Sequence, residues 1–375
     1  MQIRELFSNY IYPISALAGS IIGVGIFSLP YVASKAGIWP MLGYFLVLTL
    51  IILVLHLIFT EISLKTPDFK RFPGFVSHHL GKWAGALAMA SIVFGSFAIL
   101  LAYLIIGGEF LAGIFQSYFG GTANLYTVLF FAAGAIIILL GIKVIAGIEF
   151  WVVLFLLFSF LLIFIFGFSH IGAANLFDSG LDSGWQNLFL PYGAIMFALW
   201  GTGLIPEVEE MMRGNKKVVK KIVIISTLIP AVVYVLFTFL ILGITGPLTT
   251  ESALIGLRGS LGTGAFAVAL FAGVLTTFTA FITQGLTLKK VLMYDMGIKY
   301  WQAFVISCFT PLILFLLGLK SFISILSFTG SVLLGINGIL ILLMYKKIGG
   351  KSYIIYPLSV VFILGVIYQI IYFIK

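Results

Sequence analysis

Residues 16–37 read ALAGSIIGVGIFSLPYVASKAG, an apolar run that carries Gly19, Gly23 and Gly25 near its middle and Pro30 further on. Glycine inside a helix costs about 1 kcal/mol relative to alanine, so three within seven residues mark a point where a helix can open. Unwound backbone at membrane depth is tolerable only where its N–H and C=O groups face protein or a wet cavity. The spacing of Gly19 and Gly23, four apart, equally suits close packing on a neighbouring helix. From this stretch alone both readings stand.

The rest of the chain sets the solvent. Of 375 residues, 62% are hydrophobic and 9% charged, against roughly 45–50% and about 25% in an ordinary soluble domain. So little charge cannot cover a water-facing surface, and a disordered chain would be polar. The single cysteine, Cys308, excludes a disulfide within the chain, and no Cys/His zinc spacing occurs. The amino terminus lacks the ordered basic, apolar and small-residue regions of a cleaved signal and is expected to be a retained first span.

A span needs about 20 predominantly apolar residues. Charged and Gly/Pro-rich breaks divide the chain into eleven candidates, at 10–34, 40–64, 84–112, 126–142, 148–168, 187–210, 222–244, 264–288, 301–318, 322–345 and 353–374. With the amino terminus in the cytoplasm, 17 of the 21 Lys and Arg residues fall inside, Arg4, Lys143 and Arg213 among them, and only Lys35, Arg258, Lys320 and Lys375 fall outside. That asymmetry predicts a multi-pass protein of the cell membrane, amino terminus cytoplasmic and carboxyl terminus outside. It also accounts for the net charge of +9 without nucleic acid. The connection 169–186, SHIGAANLFDSGLDSGWQ, has Asp178 and Asp182 and no lysine or arginine, as an external loop should. No connection is long enough for a separate domain, so function must lie in polar groups and breaks within the spans.

A second break lies in the sixth span, GAIMFALWGTGLIPEVEEMM, with Gly201, Thr202 and Gly203 midway and Pro206 and Glu207 after them. Spans 1 and 6 are five apart and therefore cross in opposite directions. Two discontinuous helices so related are the pattern of inverted repeats with a substrate at the midplane. The repeats are expected at about 10–168 and 187–345, with an extra helix at 353–374, together forming a single all-α integral membrane domain.

At these residues the chain resembles the amino acid/polyamine/organocation transporter superfamily, most closely the amino acid/auxin permease branch. GSIIGVGIFSLPYVASKAG resembles that branch's first-span signature, and FALWGTGLIPEVEEMMRGNKKVVKKI its sixth span and following loop. FPGFVSHHLGKWAG is similar to the loop before the third span, and TAFITQGLTLKK to the eighth. The resemblance implies a leucine-transporter-type 5+5 fold with discontinuous helices 1 and 6, and secondary transport of amino acids. It implies amides around Gly23, Val24 and Gly25 at a substrate carboxylate, carbonyls around Ser20 and Ile21 at its ammonium, and further carbonyls near Phe197, Leu199 and Trp200. Half-helix ends carry the matching partial charges. Gly19, Gly201 and Thr202 border the same breaks. Two departures bear on the coupling ion. Gly203 stands where many relatives have a glutamate, and Thr279 is followed by Ala280 where sodium-coupled relatives have a Thr-Ser pair. A sodium site from Gly19 and Ile22 carbonyls, Thr276 and Thr279 would lack one hydroxyl.

Glu207 is a candidate proton carrier if buried, or one of three glutamates answering the lysines of the next loop. His56, the only histidine inside a span, can titrate near neutral pH or simply pack between helices. Tyr103 can line the pocket, Trp200 can gate it, Glu109 sits near the outer end of its span, and Asn337 suits an interhelical hydrogen bond. His78 and His79 lie on a cytoplasmic loop with no third ligand in view. The expected partners are an amino acid and the bilayer, with no nucleic acid, obligate protein partner, cofactor or resident metal, the coupling ion being a proton or sodium. An integral-membrane enzyme would need a zinc motif, paired aspartates within spans or a Ser/His cluster, and none occurs in the sequence. A channel would be expected to show a pore loop or ring of like charges, whereas a sensor that binds without transporting would use the same broken helices.

Overall fold

A continuous apolar run in lipid must satisfy its own backbone, and a helix does so within one segment. The structure, a computed structural model, describes residues 10–68, 70–141, 145–178, 180, 185–212 and 216–374, and every regular element among them is helical. The charges at Arg4, Lys143, Arg213 and Lys375 and the carboxylate of Asp182 lie outside the described residues.

Span 1 comprises Tyr12–Ile21, a short 3-10 turn Val24–Ser28 and Leu29–Ala36. Spans 2 to 5 are Ile38–Lys65, Lys82–Phe119, Ala123–Leu140 and Ile145–Gly167. Span 6 comprises Leu190–Leu199 and Ile205–Met211, and span 7 is Lys216–Thr245. Spans 8 and 9 are Thr263–Lys290 and Tyr300–Leu316. Span 10 runs from Phe322–Phe328 through a π turn, Thr329–Leu333, to Leu334–Lys347, and span 11 is Ser352–Ile374. Among the described residues eight helices are long and apolar enough to cross a bilayer alone, and the bent pair of span 1 makes a ninth. Of the eleven expected, span 6 is cut into two short halves and span 9 has 17 residues.

Two connections expected as loops are folded. Phe72–Leu80 is a helix, begun by Pro73 in its first turn and stopped by Gly81 at φ +92°, as their preferences dictate. In the connection after span 5, Ala173–Phe177 is helical, and the Asn175 amide donates to the carbonyls of Gly243 (2.8 Å) and Ile244 (3.3 Å), capping the end of span 7. Spans 8 and 10 also carry π turns, Val291–Asp295 and Thr329–Leu333, that were not anticipated.

The first half of span 6 packs on the second half of span 1, and the second half of span 6 on the first half of span 1, so the two run antiparallel. Spans 1, 2, 6 and 7 form one packed group; spans 3, 4, 5, 8 and 9 form another, and span 10 touches both. Span 11 lies outside span 10 and presents Val360, Leu364, Ile367 and Ile371 outward, the face a lipid-exposed helix needs.

Candidate functional site

The first half of span 1 ends at Ile21, and the second begins at Val24, bent by 43°. Gly23 is extended (φ −117°, ψ −159°), its N–H donating to the Ile21 carbonyl at 2.8 Å, and the first bond of the new turn is Ile26 N–H to the Gly23 carbonyl at 3.3 Å. The opening amides of a helix have no acceptor within it, which leaves the N–H groups of Val24 and Gly25 at the positive end of the stretch that runs on to Ala36. In span 6 the helix ends at Leu199, Trp200 is extended (φ −72°, ψ 119°), and Thr202–Leu204 makes a 3-10 turn before Pro206 starts the second half.

The breaks meet. A Cβ on Gly25 would lie 2.9 Å from the Ala198 Cα and 3.1 Å from the Phe197 ring, and one on Gly201 would lie 2.6 Å from the Ile21 side chain. Contact, not dihedral angle, favours glycine at both, against backbone at Gly25 and against a side chain that can shift at Gly201. A Cβ on Gly19 or Gly203 would meet nothing within 4 Å. Ser20 and Gly203 are exposed, whereas Val24 through Pro30 are buried. The breaks are therefore open toward the end that carries the basic residues. The opposite end is sealed by Phe27, packed edge-on against Phe110 (5.0 Å) and Phe237 (6.2 Å).

Of the other expected site residues, Tyr103 borders the break of span 1, its hydroxyl 3.5 Å from where a Gly23 Cβ would sit. The Ser20 hydroxyl turns back to the Leu17 carbonyl (2.8 Å). Thr202 and Leu199 are buried and Trp200 is partly exposed at the break. The Phe197 carbonyl takes the Trp200 N–H at 3.4 Å. The Ile21 carbonyl, expected to face an ammonium, already accepts from Gly23 N–H and from the hydroxyl of Tyr234 at 2.6 Å. Tyr234, on span 7, also reaches the Ala198 carbonyl at 3.1 Å. It bridges the two breaks, and nothing in the sequence sets it apart from the other 15 tyrosines.

Of the candidate ion groups, Thr276 and Thr279 lie on span 8, whereas His56 reaches the break of span 6. Thr276 donates to the Ala272 carbonyl (2.8 Å) and Thr279 to those of Leu275 (3.0 Å) and Thr276 (3.2 Å). Their helix packs chiefly on spans 3 and 5, whereas the half of span 1 carrying Gly19 packs chiefly on span 7. Ile22 is buried and hydrogen-bonds the Ala18 carbonyl through its N–H (2.9 Å). Glu207 lies in the second half of span 6 with Oε2 buried and without a partner among the described residues, within electrostatic reach of Arg71 and Glu210. Glu209 accepts from the Ser63 hydroxyl. His56 is fully buried, with Nδ1 2.9 Å from the Thr227 hydroxyl and Nε2 accepting the Gly201 N–H at 3.1 Å. Glu109 takes a hydrogen bond from Ser252, and the Asn337 carbonyl oxygen, expected to bond across helices, is buried without a partner among the described residues. Outside the span segments, His79 meets the Thr66 hydroxyl at 2.8 Å. Among the described residues no group of three His, Cys, Asp or Glu side chains could hold a metal.

Known structures of the same build share the fold. MhsT in complex with L-phenylalanine superposes with a TM-score of 0.64 at 15% identity, covering 96% of this chain and 97% of that one. MHP1, a nucleobase-cation-symport-1 family transporter in a closed conformation with bromovinylhydantoin bound, gives 0.67 at 14%, covering 96% and 89%. The Eremococcus coleocola manganese transporter gives 0.66 at 13%, covering 99% and 87%. The fold is thus of the leucine-transporter type. In sequence, the tyrosine-specific transport system 1 of Haemophilus influenzae (strain ATCC 51907 / DSM 11121 / KW20 / Rd) is 23% identical over 224 residues, 59% of this chain and 54% of that protein. The chain spans about half the length of the curated relative it matches. The profile of the tryptophan/tyrosine permease family matches residues 9–353, and on that match this chain belongs to the family.

Proposed function

We propose that the protein is a secondary active transporter that imports an aromatic amino acid, tyrosine or tryptophan, across the cell membrane. One observation carries this reading: two antiparallel broken helices meet at Gly25 and Ala198 and are open on one side and sealed on the other. Such a meeting point offers amides at Val24 and Gly25 to a carboxylate and helix-ending carbonyls to an ammonium, which is the charge layout of a zwitterion. The family's name and the tyrosine-specific relative support an aromatic side chain. The break of span 1 has no carboxylate, amide or thioether side chain of the kind a transition metal would need, so the shared fold of the manganese transporter does not carry its substrate here.

In this reading the basic end faces the cytoplasm, with the amino terminus inside and the carboxyl terminus outside. Residues 10–168 and 187–345 are the two inverted repeats, and the open side is the cytoplasmic one. Spans 1, 2, 6 and 7 rock as a group against spans 3, 4, 5, 8 and 9. The coupling ion is a proton carried by Glu207, because an unpartnered buried carboxylate oxygen is costly as an anion. Sodium at Thr276 and Thr279 is the second reading, since both hydroxyls already donate to carbonyls of their own helix and Ala280 leaves such a site one hydroxyl short.

The test is uptake of labelled tyrosine, tryptophan and leucine into liposomes under an imposed proton gradient and, separately, a sodium gradient. Proton-driven accumulation of the aromatic substrates, reduced to downhill exchange in Glu207→Gln, supports the reading. Accumulation driven by sodium alone, or of leucine in preference, contradicts it.

A further inference from the structure

Where span 6 unwinds, Gly201 loses the carbonyl it would have bonded in a continuous helix, and its N–H is buried. A buried N–H without an acceptor costs about 1–3 kcal/mol, so the break persists only if something accepts it. The acceptor is Nε2 of His56 on span 2, at 3.1 Å. The tautomer follows from the neighbours. The Thr227 hydroxyl spends its proton on the Val223 carbonyl at 2.8 Å, so at 2.9 Å from His56 it receives the Nδ1 proton. Gly201 N–H can only donate, so Nε2 keeps its lone pair. Both ring nitrogens are occupied, and the ring is neutral; a second proton would set N–H against N–H at Gly201.

The surroundings tie this ring to the site. The Cε1 of His56 and the side chain of Ile21 both border Gly201, and Tyr234, on the same span as Thr227, joins the Ile21 and Ala198 carbonyls. His56 and Tyr234 thus link spans 1, 2, 6 and 7 at the breaks through buried polar contacts. We infer that His56 is a positioning residue: as a neutral acceptor for Gly201 N–H it holds the break of span 6 in its unwound form and so fixes the backbone of 197–201 for substrate, without itself carrying the coupling proton. This rests on the transport reading for its functional consequence, while its structural content stands apart from it.

Two readouts separate these. Hydrogen–deuterium exchange of a peptide covering 197–204 reports the Gly201 bond whether or not anything is transported, with a peptide from span 8 as the folding control. In His56→Leu the exchange of 197–204 is expected to rise about tenfold, the span 8 peptide to stay unchanged, and maximal aromatic uptake to fall about tenfold or more. Gln can accept with its oxygen and donate with its amide, so His56→Gln is expected to restore protection, maximal uptake and the wild-type pH profile. Thr227→Val, which removes the partner of Nδ1, is expected to raise exchange in the same peptide less than His56→Leu does, and keeps the test open should the Leu variant not fold. Unchanged exchange at 197–204 in both Leu and Val variants would overturn the inference, as would loss of proton-driven accumulation in His56→Gln with downhill uptake intact. If the wild type carries no aromatic amino acid, the exchange result still decides the role of His56, and only the transport reading fails.

Discussion

Gly25 and Ala198, from spans that cross in opposite directions, are in contact so close that a single added carbon on Gly25 would fall 2.9 Å from the Ala198 Cα. The obstructing atom is backbone, which cannot step aside as a flexible side chain would. Overpacking of this kind costs about 1–3 kcal/mol. Gly25→Ala is therefore expected to lower the unfolding temperature in detergent and to reduce aromatic uptake about tenfold. Gly203→Ala, where an added carbon meets nothing within 4 Å, is expected to leave both near wild type. Equal behaviour of the two variants would mean that the breaks do not rely on this contact.

Tyr234 has one hydroxyl proton and two carbonyls within reach, those of Ile21 and Ala198. Tyr234→Phe keeps the ring, which is fully buried, and removes the bridge. Because the carbonyls left behind are themselves buried, we expect a loss of about 1–3 kcal/mol in stability and weaker substrate binding. Thermal unfolding with and without tyrosine measures both. A Phe variant that matches the wild type in each would show that the hydroxyl bridge does not order the breaks.

His79, on the short helix outside the spans, should make stability depend on pH. Burial and the neighbouring His78 hold its pKa below the usual 6.5. The unfolded chain then binds the proton more readily, so the stability this group confers is complete above about pH 6.5 and declines as pH falls below it. The drop in unfolding temperature between about pH 7.5 and about pH 5.5 is expected to be larger in the wild type than in His79→Gln. An identical drop would assign the pH dependence elsewhere.

Arg71 on the loop before span 3 and Asp295 at the end of span 8 pair at 3.2 Å, with half and a third of their side chains exposed. Exposed pairs contribute about 0–1 kcal/mol, so Asp295→Asn should scarcely alter the unfolding temperature. A shift of more than a few degrees would show that this contact holds the basic end together.

The broken spans were legible because breaking a helix in lipid leaves a mark in composition. Three glycines within seven residues announced the first opening, and Gly-Thr-Gly followed by proline the second. The helix Phe72–Leu80 also carries its signals, Pro73 and Gly81, within a stretch that resembles a loop between spans. What holds the breaks was not legible. His56 and Gly201 are 145 residues apart, and Tyr234 is 213 from Ile21. Such pairs depend on how helices pack, which no local pattern encodes. The π turns at Val291–Asp295 and Thr329–Leu333 left no distinctive residues either, and the second sits where Gly330 presses on the Gly193 carbonyl.

The most direct measurement is an experimental structure with L-tyrosine bound. The expected result places the α-carboxylate within hydrogen-bonding distance, about 2.7–3.2 Å, of the Val24 and Gly25 amides, the ammonium against carbonyls at the end of the first half of span 6, and the ring beside Tyr103. Tyrosine bound away from the two breaks, or held at its carboxylate by a basic side chain, would contradict a site built from unwound backbone.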